Sequence, residues 1–394
     1  NPPTIRLAAD ARLTTPSYVD DQIWEVTLGG GDPPALGFQT TYGLRARGMR
    51  LFPTIAVEGE HITDPARFHT PLTLHSAFPN YLRVDFRPRP EIEVWAEYWV
   101  AESQIAAGRF VVRNHASDPR RVRVALNAVF RPGDRPRPIR ETTLEGATVL
   151  SGGTGDLAPV VFMAGGAAVV VGPYPALAVS HELEPDAAKA VVWAHAALGT
   201  PEASFNAARA LAARPWDAEA ARIELVNASM VEVETGEPEW DWALAAAQRV
   251  SLGCFVGPTR RMPHPALILS RSPDRGYSRR GDGKDHTLHW EGHTALEAYY
   301  AARQVLPSAP ELAKGVVRNF LAASSADGAL DGRPGPAGQR SGALSIPVLA
   351  GLAWEIYECT GDADFLGECF PRLLRAVEAW FTPEHDRDQD GHPE

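Results

Sequence analysis

The sequence predicts a multidomain chain, β then α: a large antiparallel β-sandwich, a helical linker, and helix hairpins of the kind that close into an (α/α)6 barrel. Three observations carry this. The length of 394 residues exceeds what one core supports. The first half reads with a period of two and no helices between its apolar runs. Near residue 200 the period changes to helical, and from 290 on the sequence reads as all helix.

The β half occupies 1–199. Ile92, Val94, Ala96, Tyr98 and Val100 alternate with Glu93, Trp95, Glu97 and Trp99, the pattern of a strand with two unlike faces. The apolar run at 108–114 ends in an Asp118-Pro119 turn, and 122–130 is expected to pair with it. Runs at 160–163 and 167–171 flank Gly165-Gly166, a hairpin signal. Pro159 stands just ahead of the first, where a strand tolerates it. Many such strands without crossover helices predict packed antiparallel sheets.

The linker is placed at 200–253. Helices are expected over 201–213, 217–231 and 240–252, the last opened by Glu237-Pro238-Glu239. The barrel part is placed at 254–394. Its helices are expected at 290–305, 310–323, 344–360 (closed by Gly361) and 364–381 (interrupted by Pro371). A closed toroid needs twelve helices, so these predict the N-terminal part of a truncated barrel. Between linker and barrel, 270–289 is polar, charged and Gly-bearing; connections of this length are functional or disordered.

Composition narrows the function. The net charge of -11 argues against nucleic acid, because an acidic surface repels phosphate backbones. No run of about 20 apolar residues exists to span a membrane. Cys254, Cys359 and Cys369 form neither a disulfide framework nor a zinc spacing, which suits a reducing, cytoplasmic compartment. The first residue is Asn1, which leaves room for a removed leader. Oligomeric state has no signature here. No nucleophile elbow, P-loop or dinucleotide fingerprint is present.

Three constellations remain. Trp290-Glu291 stands in the run LHWEGH, where an indole and a carboxylate could serve one sugar: C–H faces stack on aromatics and hydroxyls bond carboxylates. The same residues equally suit an amphipathic helix start, with Glu291 favoured by the helix dipole. His293 follows within the run. Asp386, Asp388 and Asp390, with Gly391, His392 and Glu394, match the first nine positions of a calcium loop. There His392 would offer its carbonyl, and the alternative is a solvated acidic loop. Arg340 precedes a helix and suits either a substrate oxygen or the open surface.

The run LHWEGHTALEAYYAARQVLPSAPELAKGVVR (288–318) resembles the first barrel hairpin of glycoside hydrolase family 63. The run 346–394 looks like that family's next hairpin and acidic loop. The resemblance implies a β super-sandwich ahead of the barrel. It also implies an exo-acting, inverting α-glycosidase with an oligosaccharide or small glycoside as its partner. Such enzymes pair a general acid with a general base about 6.5–9.5 Å apart, and the resemblance places both beyond residue 394. It puts Trp290 and Glu291 in the reactive sugar's subsite; His293 and Arg340 are further candidate substrate contacts, apart from the resemblance. It adds weight to structural Ca²⁺ at 386–394. Two positions depart from the pattern: Glu291 where Asp is usual, and Ser345-Ile346-Pro347 where Gln-Pro-Pro is common. The extra methylene moves the carboxylate by about 1.5 Å. A glucan-debranching glucosidase, a disaccharide phosphorylase and a non-catalytic carbohydrate-binding protein share the layout and stay open.

Overall fold

The computed structural model describes residues 4–29, 35–62, 64–170, 172–388 and 390–393. It divides into two units. The first gathers Asn1–Ala9, Asp20–Ile223 and Ser272–Gly276. The second gathers Asp10–Val19, Glu224–Arg271 and Tyr277–Glu394.

The first unit holds sixteen strands among its described residues: β1 (Thr4–Leu7), β2 (Trp24–Thr27), β3 (Gly37–Thr40), β4 (Ala46–Val57), β5 (Glu60–Ile62), β6 (Thr70–Phe78), β7 (Tyr81–Arg89) and β8 (Ile92–Glu102), then β9 (Ile105–Asn114), β10 (Arg120–Pro132), β11 (Arg137–Leu144), β12 (Ala147–Gly153), β13 (Ala158–Met163), β14 (Ala168–Val170), β15 (Ala176–Leu183) and β16 (Ala188–Leu198). One sheet runs β1-β2-β3-β4-β10-β15-β14, with β5 on β4. The other runs β11-β12-β13-β16-β9-β8-β7-β6. Every pairing within them is antiparallel. Alternate residues of both, such as Leu51, Val124 and Leu126 against Val94, Phe110 and Trp193, meet in one core. This matches the β-sandwich expectation.

Two expected pairings are wrong. β9 and β10 are not partners: β9 lies between β8 and β16, whereas β10 lies between β4 and β15. The Asp118-Pro119 turn therefore crosses between sheets. Likewise Gly165-Gly166 closes no hairpin, because β13 pairs with β12 and β16 while β14 pairs with β15. A turn signal reports reversal of the chain. The pairing partner depends on which face each strand must bury.

Helix α1 (Pro201–Ala212) is capped by Thr200, whose hydroxyl accepts from Ala203 N at 3.2 Å. Its Phe205 packs on Val149 and Val160 of the second sheet. α1 is thus part of the sandwich unit and does not link units as expected. The division falls inside α2 (Trp216–Asn227), which ends before the expected residue 231.

The second unit contains the two-stranded β17 (Phe255–Val256) and β18 (Ala266–Leu267), and helices α3 (Pro238–Leu252), α4 (Ala295–Val305), α5 (Pro310–Ala322), α6 (Val348–Thr360) and α7 (Ala363–Glu378). Ala298, Val316, Phe320, Leu352, Ile356 and Phe365 belong to one core cluster. α5 is buried almost all round. Its one buried cation, Lys314, reaches Asp362 Oδ2 at 2.8 Å and Glu311 Oε1 at 2.7 Å. Those two carboxylates raise the Lys314 pKa. Asp362 also caps α7, accepting from Phe365 N at 3.0 Å. α6 ends at Gly361, at φ 69°, as expected. The helices pack as hairpins, and those described do not close a ring. Among the described residues no helix is long and apolar enough to cross a membrane. The three cysteines are free, with Cys369 buried and Cys359 exposed.

Candidate functional site

Trp290 and Glu291 do not open a helix. Leu288–Trp290 is a 3-10 turn, and α4 starts only at Ala295. The reason is local. Thr294 and Glu297 form a capping box, with Glu297 N donating to Thr294 Oγ1 at 3.2 Å and Thr294 N to Glu297 Oε2 at 2.7 Å. Gly292 breaks the preceding backbone at φ 134°. The helix dipole therefore does not begin beneath Glu291.

Trp290 is 1% exposed. Its indole N–H donates to Ser270 O at 2.8 Å, and Tyr18 Oη donates to Trp290 O at 2.6 Å. Rings of Tyr18 and His286 lie 6.0 and 5.1 Å away. The indole is a wall that shapes its neighbourhood, with no free face for stacking. Glu291 is half-exposed, and its Oε1 pairs with Arg333 Nη1 at 3.3 Å. Arg333 also donates to Gly292 O at 3.1 Å and Leu288 O at 3.0 Å, so one guanidinium clamps the whole turn. Gly335 packs against the same turn: a Cβ there would run into Glu291 O and Gln339 Oε1.

His293 is 2% exposed against Phe320, and neither ring nitrogen has a partner. Burial pushes its pKa down to about 4, partly opposed by Glu297 and reinforced by Arg333. It is a neutral core imidazole in this arrangement.

Arg340 sits elsewhere, on a cavity of about 560 Å³ lined by Asp327, Asp331, Leu344, Glu384 and His385 among others. The lining comes from the segments after α5, before α6 and after α7. Trp290, Glu291 and His293 do not line it. Its rim is set by Asp331, which lies on an irregular loop without periodicity and was not singled out from sequence. Asp331 Oδ1 accepts from Arg333 N (2.8 Å), Ser341 N (2.9 Å) and Ser341 Oγ (3.0 Å), and Oδ2 from Gly342 N (2.9 Å). Burial would raise its pKa, but these donors hold it below the ordinary carboxylate value. Arg340 donates to Ala323 O, which ties the guanidinium to the end of α5. The Trp380 indole N–H donates to Ser345 O at 3.0 Å, anchoring the segment after α7 to the loop before α6. α6 itself starts at Val348 and not at residue 344, because Leu344 bridges to Asp331 as extended backbone and Pro347 takes the cap position.

Asp386, Asp388 and Asp390 each place one carboxylate oxygen within 4.8 Å of the others. Asp386 is 5% exposed, and its Oδ1 is buried without a hydrogen-bond partner. Its Oδ2 accepts from Gly391 N at 3.2 Å, and Asp390 Oδ1 accepts from His392 N at 2.8 Å. These turns curl the chain so that oxygens converge, as a hard cation requires. Glu394 lies outside the described residues.

No sequence-family profile matches the chain, and no curated protein does. Solved structures show a coarse likeness. A bacterial glucoamylase complexed with acarbose aligns at 8% identity and TM-score 0.47, over 96% of this chain and 60% of its own. A protein assigned as a kojibiose phosphorylase, from the human microbiome, aligns at 10% identity and TM-score 0.44, over 94% of this chain and 51% of its own. A family 92 glycosyl hydrolase aligns at 13% identity and TM-score 0.34, over 93% and 51%. The chain spans about half to three-fifths of the length of these proteins, and no family follows from matches at these scores.

Proposed function

We propose that this chain belongs to a carbohydrate-active enzyme, an inverting α-glycosidase acting on an oligosaccharide or small glycoside. The observation that carries the reading is the cavity at Arg340. Its lining holds carboxylates (Asp327, Asp331, Glu384) together with side chains that can donate (Arg340, His385), around about 560 Å³. That size falls in the usual range of small-molecule sites. Acceptors and donors in one lining suit a neutral ligand dense in hydroxyl groups. The resemblance of 288–318 and 346–394 to glycoside hydrolase family 63 supports the same reading. Glu291, held by Arg333, lies outside this cavity, and only the family resemblance supports it as a carboxylate that bonds a sugar hydroxyl.

Hydrolysis of α-glucosides and α-mannosides by the full-length protein, with the product anomer read by NMR, tests the proposal. The β-anomer is the expected product. Glu291→Gln should lower kcat/KM by roughly a hundredfold, from loss of a charged hydrogen bond worth up to about 3 kcal/mol. Turnover that requires phosphate would turn the reading to a disaccharide phosphorylase. No turnover under any condition would sink it in favour of a binding protein.

A structural Ca²⁺ belongs to the proposal. Asp386, Asp388 and Asp390 would hold it through carboxylates and His392 through its carbonyl. The buried, unpartnered Asp386 Oδ1 supports the fit. At about a hundredfold excess of Ca²⁺ over Kd, Tm should rise by roughly 5–10 °C. Asp386→Asn should abolish that rise; a Tm indifferent to Ca²⁺ and chelator would remove the metal from the proposal.

A further inference from the structure

The polar stretch 270–289 contributes to a second cavity, of about 560 Å³, which shares no lining residue with the one at Arg340. Its charged lining consists of Arg260, Arg261, Lys284 and Asp282. All three cations are exposed, and none has an ion-pair partner among the described residues. Asp282 is already engaged, because its Oδ1 accepts from Lys284 N at 3.0 Å and lies 3.9 Å from Arg280 Nε. A chain of net charge -11 thus keeps a cavity whose uncompensated charge is positive.

The loops that carry these cations are held in place from several sides. Thr259 Oγ1 donates to Pro336 O at 2.6 Å and accepts from Arg261 N at 3.2 Å and Met262 N at 3.1 Å. Gly257 N donates to Pro16 O at 2.7 Å, closing the 15–19 wall onto the 257–262 segment. On the other side, Ser278 Oγ donates to Asp285 and accepts from Gly283 N at 3.0 Å. Gln339 Nε2 donates to Gly283 O at 3.1 Å. Gly283, at φ 76°, packs so closely on the Tyr18 ring that a Cβ would collide with it. Long cationic side chains stand on backbone that does not have to reorganise to receive a ligand, which lowers the cost of binding.

We propose that this cavity is a binding site for a tetrahedral oxyanion, inorganic phosphate or a phosphate ester of a sugar. Two guanidinium groups offer forked N–H pairs to phosphate oxygens, and Lys284 adds a mobile point charge. Thr259 and Tyr18 spend their hydroxyl protons on Pro336 O and Trp290 O, so the recognition rests chiefly on the cations. The site stands independently of the sugar reading, because its residues and its ligand chemistry differ.

Titration calorimetry on the full-length protein tests it, with inorganic phosphate, glucose 6-phosphate and glucose as separate titrants. Binding of one or both phosphates, weakening as NaCl rises, is expected. Equal affinity for both would identify the phosphate group as the ligand, and preference for the ester would add the sugar ring. The triple variant R260A/R261A/K284A should weaken phosphate binding at least tenfold with an unchanged melting temperature, and Asp282→Asn should tighten it. No binding of either phosphate, or unchanged binding by the triple variant, would overturn the proposal.

Discussion

Asp331→Ala should destabilise the helical unit by about 2 kcal/mol, from four lost bonds discounted for their partial exposure to water. One carboxylate now satisfies three backbone amides and one hydroxyl across residues 333 to 342. Removing it leaves those donors to compete for water and frees the rim that carries Arg340. Asp331→Asn should cost less. Its carbonyl can still accept from Arg333 N and Ser341, while its NH2 would face Gly342 N, donor against donor. Urea denaturation of both variants reads the difference. On the proposed function, binding of a sugar product should weaken at least tenfold in Asp331→Ala, because the cavity loses its shape together with its acceptor. Equal stability of Asp331→Ala and wild type would show that the loop is held by other contacts.

The second large effect is a pH dependence centred on His293. An unfolded imidazole titrates near 6.5, and burial holds this one at about 4. Between those values the unfolded chain binds the proton that the folded chain refuses. Stability is therefore undiminished above pH 6.5, falls as pH drops through the window, and levels off below about 4. The full span is roughly 3 kcal/mol. Burial lowers His264 and His286 in the same unit as well, and they add to the slope. His293→Leu should match or exceed wild-type stability at pH 7, since it removes two buried nitrogens without partners. It should also lose distinctly less stability on going to pH 4.5. Urea midpoints at pH 7, 5.5 and 4.5 test this, and a slope identical to wild type would refute the assignment.

Much of the candidate site was visible in residue types but not in its arrangement. Trp290 and His293 stood out as chemistry-bearing side chains, yet both are buried, and burial depends on Tyr18 and Phe320, 272 and 27 positions away in the chain. The clamp on Glu291 comes from Arg333, in a loop whose sequence carries no period to place it. Asp331 was passed over for the same reason. The acidic loop was legible because its spacing is local: five residues bring Asp386, Asp388 and Asp390 together without help from elsewhere.

The same division runs through the fold. The sequence by itself determined where strands give way to helices, that the chain needs two cores, that Gly361 ends a helix, and that the acidic residues converge. The need for two cores follows from length, and the others follow from residues close together in the chain, where sterics and hydrogen bonds act without distant partners. Tertiary structure decided that β9 and β10 lie in different sheets, that α1 packs on the sandwich, and that α4 begins at its Thr294 cap and not at Trp290. It also decided which of two sets of polar loop residues faces a carboxylate-rich cavity and which a cationic one. Those outcomes depend on which faces are buried against which, and burial is a property of the assembled chain.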